Sequence, residues 1–252
     1  MKIQVASDLH LEFPENRDYL KAHPLTPTGD LLLLAGDVVP LEKIELAGDF
    51  LSYCSDHFAC TYWVPGNHEY YQADAADYPG PFREAICSNL FLVNNWSVQH
   101  GSVRFLFSTL WTRIRPAFAD WIYHGFNDFH QIRYGSRQLS LPGYQQLHED
   151  CVAFLQKELE KNWTGTTFVI THHVPTLLNY PAQYAGDPFN DAFAVDMTPL
   201  MDASPIHYWL YGHHHHNGPD FRIGASCLVT NQLGYVHRRE HGGFDPARVL
   251  LC

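Results

Sequence analysis

Apolar positions along this chain fall into short runs, and most of them read as strands. The runs at 2–7 (KIQVAS), 31–36 (LLLLAG), 60–66 (CTYWVPG), 103–109 (VRFLFST), 166–173 (TTFVITHH) and 206–212 (IHYWLYG) are each bounded by polar or turn-forming residues. A later segment, 226–236 (SCLVTNQLGYV), predicts more strand. Helical spacing is clearest over 144–161, where Leu147, Cys151, Phe154, Leu155 and Leu159 make one apolar stripe after Pro142. Residues 41–57 and 80–88 carry weaker helical patterns. Strands alternating with helices predict α/β layers. With 252 residues, no repeat and no linker, the chain reads as one domain over 1–252. The stretch 112–142, aromatic and rich in Gly, Arg and His, fits neither period. It is either a lid or cap inserted over a site or an irregular surface excursion.

Polar residues gather where the strands end. Asp8 and His10 follow the first strand and Asp37 closes the second. Asn67, His68 and Glu69 follow the third, His172 and His173 end a later one, and His213 to His216 end another. In open α/β sheets ligands collect beyond the carboxyl ends of strands, so five such ends predict one shared site. Asp8 and His10 are two apart, which in an extended segment aims both side chains to one side, with Leu9 opposite. The same parity aims His213 and His215 together, away from His214. The glycines before Asp37, Asn67 and His213 suit turns whose backbone comes close to a ligand. A mixed oxygen and imidazole set suits Mn, Fe or Zn better than Ca or Mg. The Cys-rich spacings of structural zinc are absent.

Composition narrows the classes. The net charge is −11 with only 16 Lys and Arg and no basic run, which disfavours nucleic acid as a partner. No apolar run reaches the roughly 18 residues of a membrane span. The start, MKIQVASDLHLEF, lacks the apolar core of a signal peptide, so a cytoplasmic location is expected and the NWT sequon at 162–164 is read as chance. The six cysteines (Cys54, Cys60, Cys87, Cys151, Cys227, Cys252) form no CxxC pair and are expected to be reduced and mostly buried.

Taken in order, Asp8-x-His10, Gly36-Asp37, Gly66-Asn67-His68-Glu69, His172 and Gly212-His213-x-His215 resemble the calcineurin-like metallophosphoesterase superfamily motif by motif. The blocks STLWT (108–112), NDF (127–129) and NQLGY (231–235) resemble a branch of small bacterial phosphoesterases of undefined substrate. The resemblance implies two mixed β-sheets packed as a sandwich with helices on the outer faces. It also implies two divalent or mixed-valence metal ions, with Mn, Fe and Zn as candidates. Asp37 would bridge them, Asp8, His10 and His215 would complete one shell, and Asn67, His172 and His213 the other. The implied reaction is phosphoester hydrolysis by a metal-activated hydroxide, with His68 as the catalytic residue that protonates the leaving oxygen.

Glu69 is read as a loop-orienting residue and His173 as a neighbour of the ligands. His124, His130, Arg113, Arg115 and Arg133 are read as surface or packing residues. The family's protein phosphatases continue the second motif as GDxxDRG. Here GDVVPLEK lacks that Asp and Arg, which disfavours a protein substrate and leaves the partner of His68 unidentified. A small-molecule or nucleotide phosphomonoester and a phosphodiester both remain open as substrate. A non-catalytic metal-binding scaffold and a nuclease are the alternatives carried.

Overall fold

The computed structural model describes residues 1–251. Fourteen strands run in chain order: β1 (Lys2–Ala6), β2 (Leu31–Ala35), β3 (Cys60–Val64), β4 (Phe82–Cys87), β5 (Leu90–Asn94), β6 (Trp96–His100), β7 (Val103–Ser108), β8 (Arg133–Tyr134), β9 (Arg137–Gln138), β10 (Thr166–Thr171), β11 (Tyr208–Tyr211), β12 (Phe221–Ile223), β13 (Ser226–Thr230) and β14 (Val249–Leu251). Seven α-helices accompany them: α1 (Pro14–Ala22), α2 (Gly48–His57), α3 (Ala119–Gly125), α4 (Asp128–Gln131), α5 (Leu141–Leu159), α6 (Asn190–Phe193) and α7 (Thr198–Ala203).

Two six-stranded sheets are built on the same plan. In the first, ordered β14-β1-β2-β3-β5-β4, the four central strands are parallel and the two edges antiparallel. The second, β12-β13-β11-β10-β7-β6, repeats this arrangement. The period of two along each strand assigns its residues to the layers. Ile3, Val5, Leu31, Leu33, Phe105, Phe107, Phe168 and Ile170 meet between the sheets. Leu32, Leu34 and Trp63 turn outward to pack under Leu20 of α1 and Leu51 and Cys54 of α2. On the far side, Leu106, Val169 and Trp209 pack under Cys151, Leu155 and Leu159 of α5. Both faces of β2 are therefore covered, which is why its run LLLLA is apolar without alternation. The expected sandwich with outer helices is the fold observed.

Strand limits differ from the sequence pattern in one consistent way. β1, β2, β3, β7, β10 and β11 each stop one or two residues early, before the polar cluster that follows. The segment 226–236 is strand only to Thr230. The helix expected at 144–161 runs from Leu141 to Leu159, with Ser140 accepting the Gly143 amide as its cap. Residues 41–57 divide into a 3₁₀ segment, Leu41–Ala47, and α2.

The helix expected at 80–88 is instead the edge strand β4, antiparallel to β5. Its Arg, Glu and Ala favour a helix, but pairing with β5 decides the local structure. Helix α1 carries no clear apolar stripe in the sequence, because only Asn16 and Leu20 of its residues are buried. Among the described cysteines all five are free. Cys54 and Cys151 are buried, whereas Cys60, Cys87 and Cys227 are half-buried, so burial is less general than expected. Cys252 lies outside the described residues. No described helix is long and apolar enough to cross a membrane.

Candidate metal centre

The parallel strands of both sheets deliver their carboxyl ends to one edge of the sandwich, and the polar clusters meet there. The turns after β1 and β2 are zipped together. The Asp8 amide donates to Gly36 O (2.9 Å) and the His10 amide to Asp37 O (2.9 Å). Asp8 and His10 converge, but not through the extended geometry expected of them. The strand has ended at Ala6, and both residues are left-handed, at φ 55° and 48°. Asp37, His213 and His215 are left-handed too, at φ 53°, 79° and 49°, so the parity argument for the histidine run also fails in its premise. These conformations cost energy in non-glycine residues, and they are concentrated where side chains must turn back toward one point.

Two groups share Asp37. Asp8, His10, Asp37 and His215 place ligand atoms within 4.8 Å of one another, and so do Asp37, His172 and His213. The two Asp37 oxygens divide between them: Oδ2 lies 3.7 Å from His10 Nε2 and Oδ1 3.4 Å from His172 Nε2. Asn67 Oδ1 joins the second group, 3.1 Å from His172 Nε2. His213 and His215 thus fall into different groups. His214 turns away, its Nδ1 accepting from Gln232 Nε2 (2.8 Å) and its ring beside Tyr180 and Tyr211. His216 is exposed.

The donor set fits divalent cations. His10 and His215 point their Nε2 atoms at each other across 2.9 Å, and His172 Nε2 faces His213 Nδ1 across 3.0 Å. Three of the four opposite ring nitrogens are engaged outward: His10 Nδ1 with Glu12 (3.1 Å), His215 Nδ1 with Glu240 (2.7 Å) and His172 Nδ1 with Ala35 O (2.9 Å), while His213 Nε2 is buried without a partner. An imidazole that donates outward presents a lone pair inward, the arrangement in which histidine binds metal. Asp8 Oδ2 is buried without a partner.

Electrostatics agree. Burial opposes the charge on Asp37, yet His172, His68 and His10 hold its carboxyl well below the usual range. Burial alone would depress His172 and His215. Asp37 and Asp8 nevertheless drive His172 up to about 10, and hydrogen bonds with Asp8 and Glu240 bring His215 up to about 9. The cluster demands positive charge, which metal can supply in place of protons.

Glu69 ties the turns together. It is fully buried and accepts from the amides of Asp37 (2.9 Å), Gly66 (2.6 Å) and Val38 (2.6 Å) and from Trp63 Nε1 (3.1 Å). Close packing also explains Gly66, where a Cβ would strike Asp37 Oδ1 and the His172 ring. His173 is buried, its Nδ1 bonded to Thr109 O (3.1 Å), and burial followed by the nearby His172 lowers its imidazole to about 3.

His68 begins a 3₁₀ turn, His68–Tyr70. Its amide donates to Asp37 Oδ1 (2.9 Å), its ring stacks on Tyr71 (4.2 Å between centroids), and its Nδ1 lies 2.8 Å from Glu12 Oε1. A cavity of about 310 Å³ opens above the cluster, lined by His68, Phe126, Asn127, Tyr184, Phe193 and Arg238 among others.

Three carboxylates at this site carried no sequence expectation of their own: Glu12, Asp128 and Glu240. Glu12 repeats the two-residue spacing of Asp8 and His10. Asp128 lies in the NDF block and accepts from Asn67 Nδ2 (2.8 Å) and Tyr71 OH (2.9 Å). Glu240 has no motif around it. The segment 112–142 reaches the site through Asp128 and the cavity-lining residues 125–127, while Ile122, Phe129, Ile132 and Leu139 are buried. Arg113, Arg115, Arg133, His124 and His130 do not line the cavity, and Arg115 is paired with Asp191 (2.7 Å).

Residues 1–217 match the model of the calcineurin-like phosphoesterase family. The chain belongs to that family. Among solved structures, phosphopantetheinyl hydrolase from Mycobacterium tuberculosis superposes with a TM-score of 0.75 at 19% identity, covering 99% of this chain and 95% of its own. A dimetal phosphatase from Danio rerio gives a TM-score of 0.47 at 12% identity, covering 92% and 87%. An uncharacterized protein of Acanthamoeba polyphaga mimivirus is 28% identical over 271 residues, covering 97% of this chain and 94% of its own. Tyr235, Arg238 and Glu240 lie beyond the family match, yet all three line the phosphoesterase cavity.

Proposed function

We propose that this phosphoesterase hydrolyses a small-molecule phosphoester with two divalent ions held by Asp8, His10, Asp37, Asn67, His172, His213 and His215. The observation that carries the reading is the pair of ligand groups sharing Asp37, with His68 beside them at the floor of a cavity. When bound, such a metal pair supplies charge stabilisation for the phosphoryl group and an activated water.

The chain's own residues do the rest. Asp37 fixes the His68 backbone through Oδ1, and Tyr71 holds the ring face-on. His68 Nε2 is then free to give a proton to the leaving oxygen, a contribution of about 10²–10⁴-fold. The cavity, about 310 Å³, is at the small end of the range for small-molecule sites. Phe126, Phe193 and Tyr184 offer one side of it to an organic group, and Arg238 offers charge at another. The likeness to a phosphopantetheinyl hydrolase supports a small organic phosphoester. In this reading 112–142 forms a wall over the substrate.

Turnover of p-nitrophenyl phosphate and bis-p-nitrophenyl phosphate with Mn²⁺, Zn²⁺ or Fe²⁺ tests the proposal, and their ratio separates monoesterase from diesterase. Hydrolysis of at least one is expected, and turnover of a simple alkyl phosphate, whose leaving oxygen needs the proton, should fall at least about 10²-fold in His68→Ala. If neither is hydrolysed although metal is bound, the scaffold alternative replaces it.

A further inference from the structure

The strongest unassigned feature is Glu12, which lies between a metal-ligand candidate and the catalytic-residue candidate. One oxygen, Oε1, lies 2.8 Å from His68 Nδ1 and 3.1 Å from His10 Nδ1. The two rings meet edge to face, 4.5 Å apart, and the carboxylate bridges their outer nitrogens. The other oxygen, Oε2, is buried with no partner. Glu12 is reached by the same left-handed turn that presents Asp8 and His10, so its position is set by the metal-binding loop itself.

We propose that Glu12 is the positioning residue for His68, holding its ring by Nδ1. The inference rests on the reading of His68 given above. A carboxylate oxygen can only accept, so both imidazoles must turn N–H groups toward it. Nδ1 therefore carries hydrogen in both rings. His10 is left with a lone pair at Nε2 facing His215, and His68 directs its own Nε2 toward the cavity, 3.5 Å from the Tyr235 hydroxyl. One side chain thereby aligns a metal ligand with the proton donor, and the ring that gives up its proton to the leaving oxygen stays anchored by Nδ1–H throughout.

Glu12→Gln separates charge from position. The amide oxygen still accepts from both Nδ1–H groups, and the NH2 group occupies the place of Oε2, where no donor stands against it. Two bound metal ions per chain are expected to remain. For a simple alkyl phosphate, whose leaving oxygen needs a proton, kcat is expected to fall about 10²-fold in Glu12→Ala with KM nearly unchanged, and to recover to within about tenfold of wild type in Glu12→Gln. For p-nitrophenyl phosphate, whose leaving group departs without one, the loss should be less than tenfold. In a His68→Ala background Glu12→Ala should change neither rate further. Equal losses on both esters, additivity with His68→Ala, or loss of metal would overturn the proposal.

Nitrogen-15 NMR of the histidines in the metal-free and zinc-loaded protein provides a readout apart from turnover. Both His10 and His68 should carry hydrogen at Nδ1, and in Glu12→Ala that signature should be lost from His68. If the wild type hydrolyses neither ester, the functional reading fails, and the spectrum then decides the position of Glu12: rings bare at Nδ1 would refute it.

Discussion

Glu69→Gln tests whether one buried carboxylate holds the two central turns of the site. Burial, followed by the neighbouring Asp37, pushes the Glu69 carboxyl up to about 7, yet both its oxygens face N–H donors only, which suit a carboxylate. Oε2 accepts from the Asp37 and Gly66 amides, and Oε1 from the Val38 and Val39 amides and Trp63 Nε1. A glutamine must place its NH2 against one of these sets. The less damaging choice replaces Oε2 and leaves two buried amides without an acceptor. At about 1–3 kcal/mol for each orphaned donor, the loss is about 2–6 kcal/mol. For a chain of this size, about 4 kcal/mol lowers Tm by roughly 8–16 °C. Thermal unfolding of wild type and variant, both stripped of metal because bound metal adds its own stability, is the assay. A fall of less than about 2 °C, corresponding to under ~1 kcal/mol, would refute the reasoning. It would mean that the amides find other acceptors and that Glu69 does not hold the turns.

Three further outcomes follow from the geometry. Metal content measured by mass spectrometry should stay at two per chain in His214→Gln and His216→Gln and fall in His213→Gln and His215→Gln, and equal content in all four would remove the two-group assignment. Metal uptake should weaken with acid: His172 and His215 are held protonated up to about 10 and about 9 in the metal-free cluster and must lose those protons to ligate. Titration calorimetry in buffers of different ionisation enthalpy should therefore show proton release and an affinity that rises with pH up to that range, and a pH-independent affinity would contradict the ligand set. Asp128→Ala frees the Asn67 amide and should weaken metal binding about 10–100-fold, and unchanged affinity would show that Asn67 needs no such anchor.

The sequence by itself determined the layers and the inner ring of the site. Strand runs of apolar residues report burial directly, since each side chain's face follows from a period of two, and the motifs at five strand ends needed only the rule that parallel strands finish on one edge. On that basis the polar residues of those ends could be gathered at one site, and from the family resemblance Asp8, His10, Asp37, Asn67, His172, His213 and His215 could be named among them as candidate ligands. Their backbone could not: the left-handed turns that aim five of these side chains leave no mark on hydrophobic periodicity. Edge strand β4 shows the same limit, because its helix-favouring residues form a strand only when β5 is there to pair with.

The outer carboxylates were decided by tertiary structure alone. Glu12, Asp128 and Glu240 come from three distant parts of the chain, and each meets a candidate ligand through a hydrogen bond whose length depends on packing. Glu240 meets His215 across 25 positions of sequence, and Asp128 meets Asn67 across 61. A ligand's identity is written in residue type and spacing, whereas its orientation depends on what the folded chain brings to its other side.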